Sequence, residues 1–144
     1  MERAARRTPE VSLEEVFRRA SRGVPDEEER AAVVAEALGY LQRGFDSHYA
    51  SGERATDDEI LVGDNAYAWA VETISRLDEP EFVAVASRMI RDGAGRVSAG
   101  GGVDLELWTP HLADLLRIIS GEDPERSRER ITAAAGEVAG ERSA

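Results

Sequence analysis

ATDDEILVGDNAYAWAVETISRL, residues 55–77, is the stretch whose reading decides the fold. Thr56 and Glu59 stand three apart, the pattern of a capping box, in which each side chain accepts a backbone N–H at a helix start. Ile60, Tyr67, Ala70, Ile74 and Leu77 follow at helical spacing, while Trp69 and Val71 add apolar groups on other sides. A helix that is apolar more than halfway round usually has neighbours on two sides. The same stretch holds Asp57, Asp58 and Asp64 within a few positions. They are either metal ligands or part of a helix start.

Working outward, nearly every signal is helical. Ser12 and Glu15 make another capping box, followed by Leu13, Val16, Phe17 and Ala20, and Gly23 ends this short helix. VPDEEER opens a second helix at 26–48, with Pro25 near its first turn and Val34, Leu38, Leu41 and Phe45 as its apolar stripe. Pro80 starts a helix over 80–97, carrying Phe82, Val83, Val85, Ala86, Met89 and Ile90, with Gly93 and Gly95 weakening its C-terminal half. SAGGGVD, residues 98–104, reads as a flexible connection. In LELWTPHLADLLRIISG, Pro110 either begins a helix capped by Thr109 or kinks a longer one begun near Asp104. Asp123 and Pro124 start a last helix whose apolar face is only Ile131, Ala135 and Val138. The expectation is an all-α helical bundle of about five to six helices. It forms a single domain over residues 1–144, with 1–11 and 122–144 loosely docked.

Composition narrows the functions. Leu, Ile, Val and Phe make up about a fifth of the chain, close to the limit for folding alone. A thin core, or one completed by a partner, is expected. The formal net charge of −11 repels phosphate backbones and disfavours nucleic-acid binding. All 18 basic residues are Arg, so Schiff-base chemistry and a P-loop lysine are excluded. The absence of Cys removes disulfides, thiolate nucleophiles and Cys-based zinc sites. MERAARRTPEV has no apolar run behind it, unlike a secretory signal, and no transmembrane segment is expected. The expected location is cytoplasmic.

Metal-dependent diphosphate chemistry needs carboxylates that converge on Mg²⁺, spaced i, i+3 or i+4 on facing helices. Asp57, Asp58 and Glu59 are consecutive and point different ways, so favourable electrostatics at a helix N-terminus is the preferred reading. Asp64, between Gly63 and Asn65, sits where helix propensity alone would not put it. Gly63 would permit a close helix crossing while Asp64 bonds a backbone group or an arginine. Asp46 and His48 are two apart and share a site only if the backbone leaves the helix there. With Asp64 they form a candidate polar site. His111 has only Asp114 nearby, and no metal or catalytic set emerges.

EILVGDNAYAWAVETISRLDEPEFVAVASRMI resembles the segment after the first aspartate-rich motif of all-α polyprenyl diphosphate synthases, with Gly63–Asp64 at the Gly-Asp position. LQRGFDSHYAS is similar to the Leu-Asp-Thr-His segment of the small component of two-component heptaprenyl diphosphate synthases, with Phe45, Asp46, Ser47 and His48 in register. The resemblance spans about Leu41 to Ala99, under half the chain. Both DDxxD motifs are missing. The resemblance implies a truncated isoprenoid synthase fold in a small, non-catalytic regulatory subunit. Its partner would be a catalytic large subunit, which binds the Mg²⁺. Together they would set product chain length for isoprenoid side chains such as that of menaquinone. No cofactor is expected in this chain. Tyr67, Trp69, Val71, Ile74, Phe82 and Met89 are the expected partner interface. Two alternatives stay open. One is a homodimeric helical interaction protein. The other is a small metal- or ligand-binding enzyme using Asp46, His48 and Asp64.

Overall fold

The computed structural model describes residues 11–49 and 54–143, and six α-helices account for most of them, with no strand among these residues. They are α1 (Leu13–Ala20), α2 (Glu28–Tyr49), α3 (Asp57–Ser75), α4 (Pro80–Ser98), α5 (Leu105–Ser120) and α6 (Pro124–Ser143). The fold is an all-α bundle. No helix among the described residues is long and apolar enough to cross a membrane.

Local chemistry explains most of the boundaries. Ser12 Oγ accepts the Glu15 N–H at 3.1 Å and starts α1. Thr56 and Glu59 form a complete capping box at the start of α3. Asp104 Oδ1 accepts the Leu107 N–H, so α5 takes the longer of the two expected forms and carries Pro110 inside it. Pro110 has no N–H to give to the preceding turn, and the Thr109 hydroxyl donates to the Leu105 carbonyl beside it. Gly121, at φ 72°, ends α5 in the left-handed conformation that glycine adopts freely. The start of α2 departs from expectation. Asp26 has φ 62°, so Pro25 lies in the preceding turn and the helix begins two residues late.

α2 packs against α1, α3, α4 and α5 and forms the spine of the bundle. Val34, Leu38, Leu41 and Phe45 are buried as their spacing predicts, joined by Ala31, Ala35 and Ala37. One continuous core runs from α1 to α6. Its centre is Trp108 of α5, fully buried and stacked on Phe45 with ring centroids 4.5 Å apart. Gly93 of α4 makes room for that indole. A Cβ there would sit 2.9 Å from Trp108 Cη2 and 3.2 Å from Val103 Cγ1. Gly93 therefore serves packing as well as costing helix propensity.

Alanines and glycines at the helix contacts let the large side chains of this core interlock. α6 is seated by more than its sparse apolar face implies. Ile131, Ala134, Ala135 and Val138 are buried against α5 and α1, and the Arg19 guanidinium forks onto the Glu141 carboxylate. The 98–104 connection buries Val103 completely. Residues 1–10, part of the segment expected to dock loosely, lie outside the described residues.

Removing the central indole should be costly. Trp108→Ala is expected to lower stability by about 3–5 kcal/mol in urea unfolding followed by circular dichroism.

Candidate functional site: the α2–α3 crossing and the open face of α3

α3 meets α2 through small residues. Gly63, Ala66, Ala70 and Thr73 are buried along the contact, with Ile74. On α2 the matching small residue is Gly44. A Cβ on Gly44 would run into the Tyr67 ring, and one on Gly63 into the His48 ring, with the Gly44 carbonyl oxygen 3.2 Å away. The two backbones thus approach closely, and the larger side chains close over the crossing.

The crossing brings together two of the three residues of the candidate polar site. His48 Nε2 lies 3.1 Å from the Ile60 carbonyl oxygen and 3.3 Å from Asp64 Oδ1. A carbonyl can only accept, so Nε2 carries the proton and shares it between the two oxygens. The Ser47 hydroxyl donates to the Glu59 carbonyl at 2.6 Å. These bonds tie the end of α2 to the exposed turns at the start of α3. Asp46 does not complete a set. α2 stays helical through Tyr49, so Asp46 and His48 project about 200° apart. Among the described residues no three His, Asp or Glu side chains gather in a way that could hold a metal ion. Asp57, Asp58 and Glu59 form the first turn of α3, where Glu59 completes the cap and the Thr56 backbone N–H holds its carboxyl below the usual range.

Tyr67 covers the crossing from α3. Its ring lies 5.6 Å from Phe45 and 5.0 Å from the His48 ring, edge-on to the latter. Burial pushes its hydroxyl well above the ordinary tyrosine range, and the neighbouring Tyr49 hydroxyl and Asp64 carboxylate add to the shift. The hydroxyl abuts that of Tyr49 without reaching hydrogen-bonding geometry.

A second His–Asp pair escaped sequence reasoning. His111 Nε2 of α5 is 2.9 Å from Asp92 Oδ2 of α4. The partner comes from another helix, 19 residues away, and no local spacing signals it. Surface grooves among the described residues lie elsewhere. One, lined by Arg18, Arg22 and Glu28, runs between α1 and α2, and another, lined by Glu81, Arg88, Asp114 and Arg117, between α4 and α5. Neither reaches the His48–Asp64 pair.

The expected partner interface needs correction. Ile74, Phe82 and Met89 are at most 1% exposed and belong to the core, Ile74 on the packed side of α3 and the other two on the inward apolar stripe of α4. Tyr67 and Val71 are half-buried. Trp69 alone of the six is well exposed, at 48%. The outer side of α3 instead shows Ile60, Leu61 and Val62, the last two more than 60% exposed. The signal was present in the sequence: α3 is apolar on more sides than one neighbour can cover.

No family model, curated protein or solved structure matches this chain. The site therefore rests on its own geometry.

Three outcomes follow from the crossing. Gly63→Ala should destabilise by about 1–3 kcal/mol, since the His48 ring must move, and the cost should shrink in a His48→Ala background when both are measured as a double-mutant cycle. Tyr67→Phe should be neutral or mildly stabilising at pH 7, because it removes an enclosed hydroxyl that lacks a partner. Tyr67 is a group whose pKa is raised on folding. Burial opposes its ionisation, so the group leaves stability unaffected by pH below the ordinary tyrosine value of 10.0 and lowers it as pH rises above that value. The Phe variant should therefore lose less stability than the parent in urea titrations above pH 10.

Proposed function

We propose that this chain is a non-catalytic accessory subunit that docks, through the outer face of α3, onto a catalytic polyprenyl diphosphate synthase subunit in the cytoplasm. The observation that carries the docking reading is the exposed apolar strip of Leu61, Val62 and Trp69 on a helix whose other side is already packed. Large apolar groups left in water on one element are what a binding face requires. The choice of partner comes from the resemblance. Its two segments, around Phe45–His48 and around Gly63–Asp64, meet at one crossing, where His48 bonds Asp64. Mg²⁺ and the diphosphate chemistry would belong to the partner. In the complex, this bundle would brace the helices that line the partner's product tunnel and so influence where chain elongation stops.

The His48–Asp64 pair fits a structural role better than a catalytic one. Both groups hold the crossing, and the hydroxyl beside His48 in sequence, that of Ser47, is engaged by the Glu59 carbonyl.

The test is co-expression with a large subunit encoded nearby, followed by prenyl-transfer assays of each protein alone and together. The expected result is co-purification and activity only for the pair. Leu61→Ser/Val62→Ser should abolish co-purification while leaving the circular dichroism spectrum unchanged. Prenyl transfer by this chain alone would overturn the accessory assignment.

A further inference from the structure

The occupant of the α3 face can be narrowed from its charge pattern, on the docking reading above. Asp58, Leu61, Val62, Asn65, Ala68, Trp69 and Glu72 project within an arc of roughly 120° on α3. The apolar members form the centre, and Asp58 and Glu72 close its two ends. Asp57 and Asp64 lie along one edge. Among nearby basic groups, Arg76 is paired with Glu72 at 3.1 Å, and Arg43 lies over the Tyr40 ring at 5.3 Å. The rim is acidic. Trp69 is held in place by stacking on Tyr40 at 6.2 Å, so the centre of the face is formed in advance.

This pattern argues against a second copy of the chain. In an antiparallel two-fold pairing about Asn65, Leu61 would meet Trp69 and Val62 would meet Ala68. The same pairing sets Asp58 against Glu72 twice. A parallel two-fold pairing sets Asp58 against Asp58 and Glu72 against Glu72. Carboxylates face each other either way, with Arg76 already engaged by Glu72, and each copy brings a net charge of −11, which together disfavour the pairing. We infer that the face receives an amphipathic helix of a different protein, one whose apolar stripe is bordered at both ends by arginine or lysine side chains.

The chain carries its own reporter. It has two tryptophans, of which Trp108 is fully buried and Trp69 half-exposed, so covering the face should shift the emission of Trp69 alone. The probes are three synthetic helical peptides. The first has a leucine stripe with arginine at both ends, the second the same stripe with glutamate, and the third is a scrambled form of the first with no apolar face. The arginine peptide should bind saturably and shift the emission to the blue. Its affinity should fall about tenfold or more between low salt and about 0.5 M salt. Trp69→Phe should remove the optical signal, and Leu61→Ser/Val62→Ser the binding. Asp58→Arg/Glu72→Arg should transfer the preference to the glutamate peptide.

Equal binding of the arginine and glutamate peptides, equal binding of the scrambled peptide, or no binding of the arginine peptide would overturn the inference. So would self-association in sedimentation that buries Trp69. The two proposals fail separately. A synthase activated by this chain without any change at Trp69 would remove the inference and keep the accessory role. A bound arginine peptide, with no synthase activated by the chain, would do the reverse.

Discussion

The close approach of α2 and α3 at Gly44 and Gly63 is the constraint on which the rest of the structure depends. Interaxial distance between packed helices follows the size of the side chains at the contact. With glycines there, the side chains that would normally separate the helices come from either side of the crossing instead. Tyr67 folds over Gly44, and His48 over Gly63. The arrangement consumes the small side of α3. It leaves the opposite side, with Leu61, Val62 and Trp69, in solvent.

The crossing is continuous with the core. Phe45 contacts Tyr67 on one side and stacks on Trp108 on the other, so aromatic packing runs from α3 through α2 into α5. Trp108 in turn depends on the absence of a side chain at Gly93. The helices most remote in sequence are joined differently. α1 is held at its start by Gln42, whose carbonyl oxygen accepts the Leu13 N–H at 2.8 Å and whose amide donates to the Val11 carbonyl at 2.7 Å. Its other end reaches α6 through Arg19 and Glu141. Most of the ion pairs are partly exposed and contribute little each to stability. Their larger effect is on which surfaces remain charged.

Much of the fold was legible in the sequence, for local reasons. Ser12, Thr56, Asp104 and Asp123 each precede an apolar periodic run, and each marks a helix start. The stripe Val34, Leu38, Leu41 and Phe45 has one reading. The start of α2 was misread because the left-handed backbone at Asp26 is a single-residue event with no glycine to mark it. The site was legible in part. The run Gly63-Asp64-Asn65 pointed to the crossing, which is present, but to a backbone group or an arginine as the partner of Asp64, where the structure places His48 from the facing helix. What spacing could not settle was which apolar side of a helix faces inward. Ile74, Phe82 and Met89 have the composition of an interface and the burial of a core. That difference is set by neighbours far away in the chain, as is the Asp92–His111 pair.

Arg30 has a consequence for how α3 meets other molecules. Its guanidinium forks onto Glu79 at 3.0 and 2.7 Å, bonds Glu27, and lies 5.5 Å from the centre of the Phe82 ring. It thereby pins the α3–α4 turn to the beginning of α2, while His48 and Ser47 pin the opposite end of α3. A helix fastened at both extremities has little conformational entropy left to surrender when something lands on it. Association would then be limited by encounter and orientation rather than by ordering, the regime of rigid-body recognition.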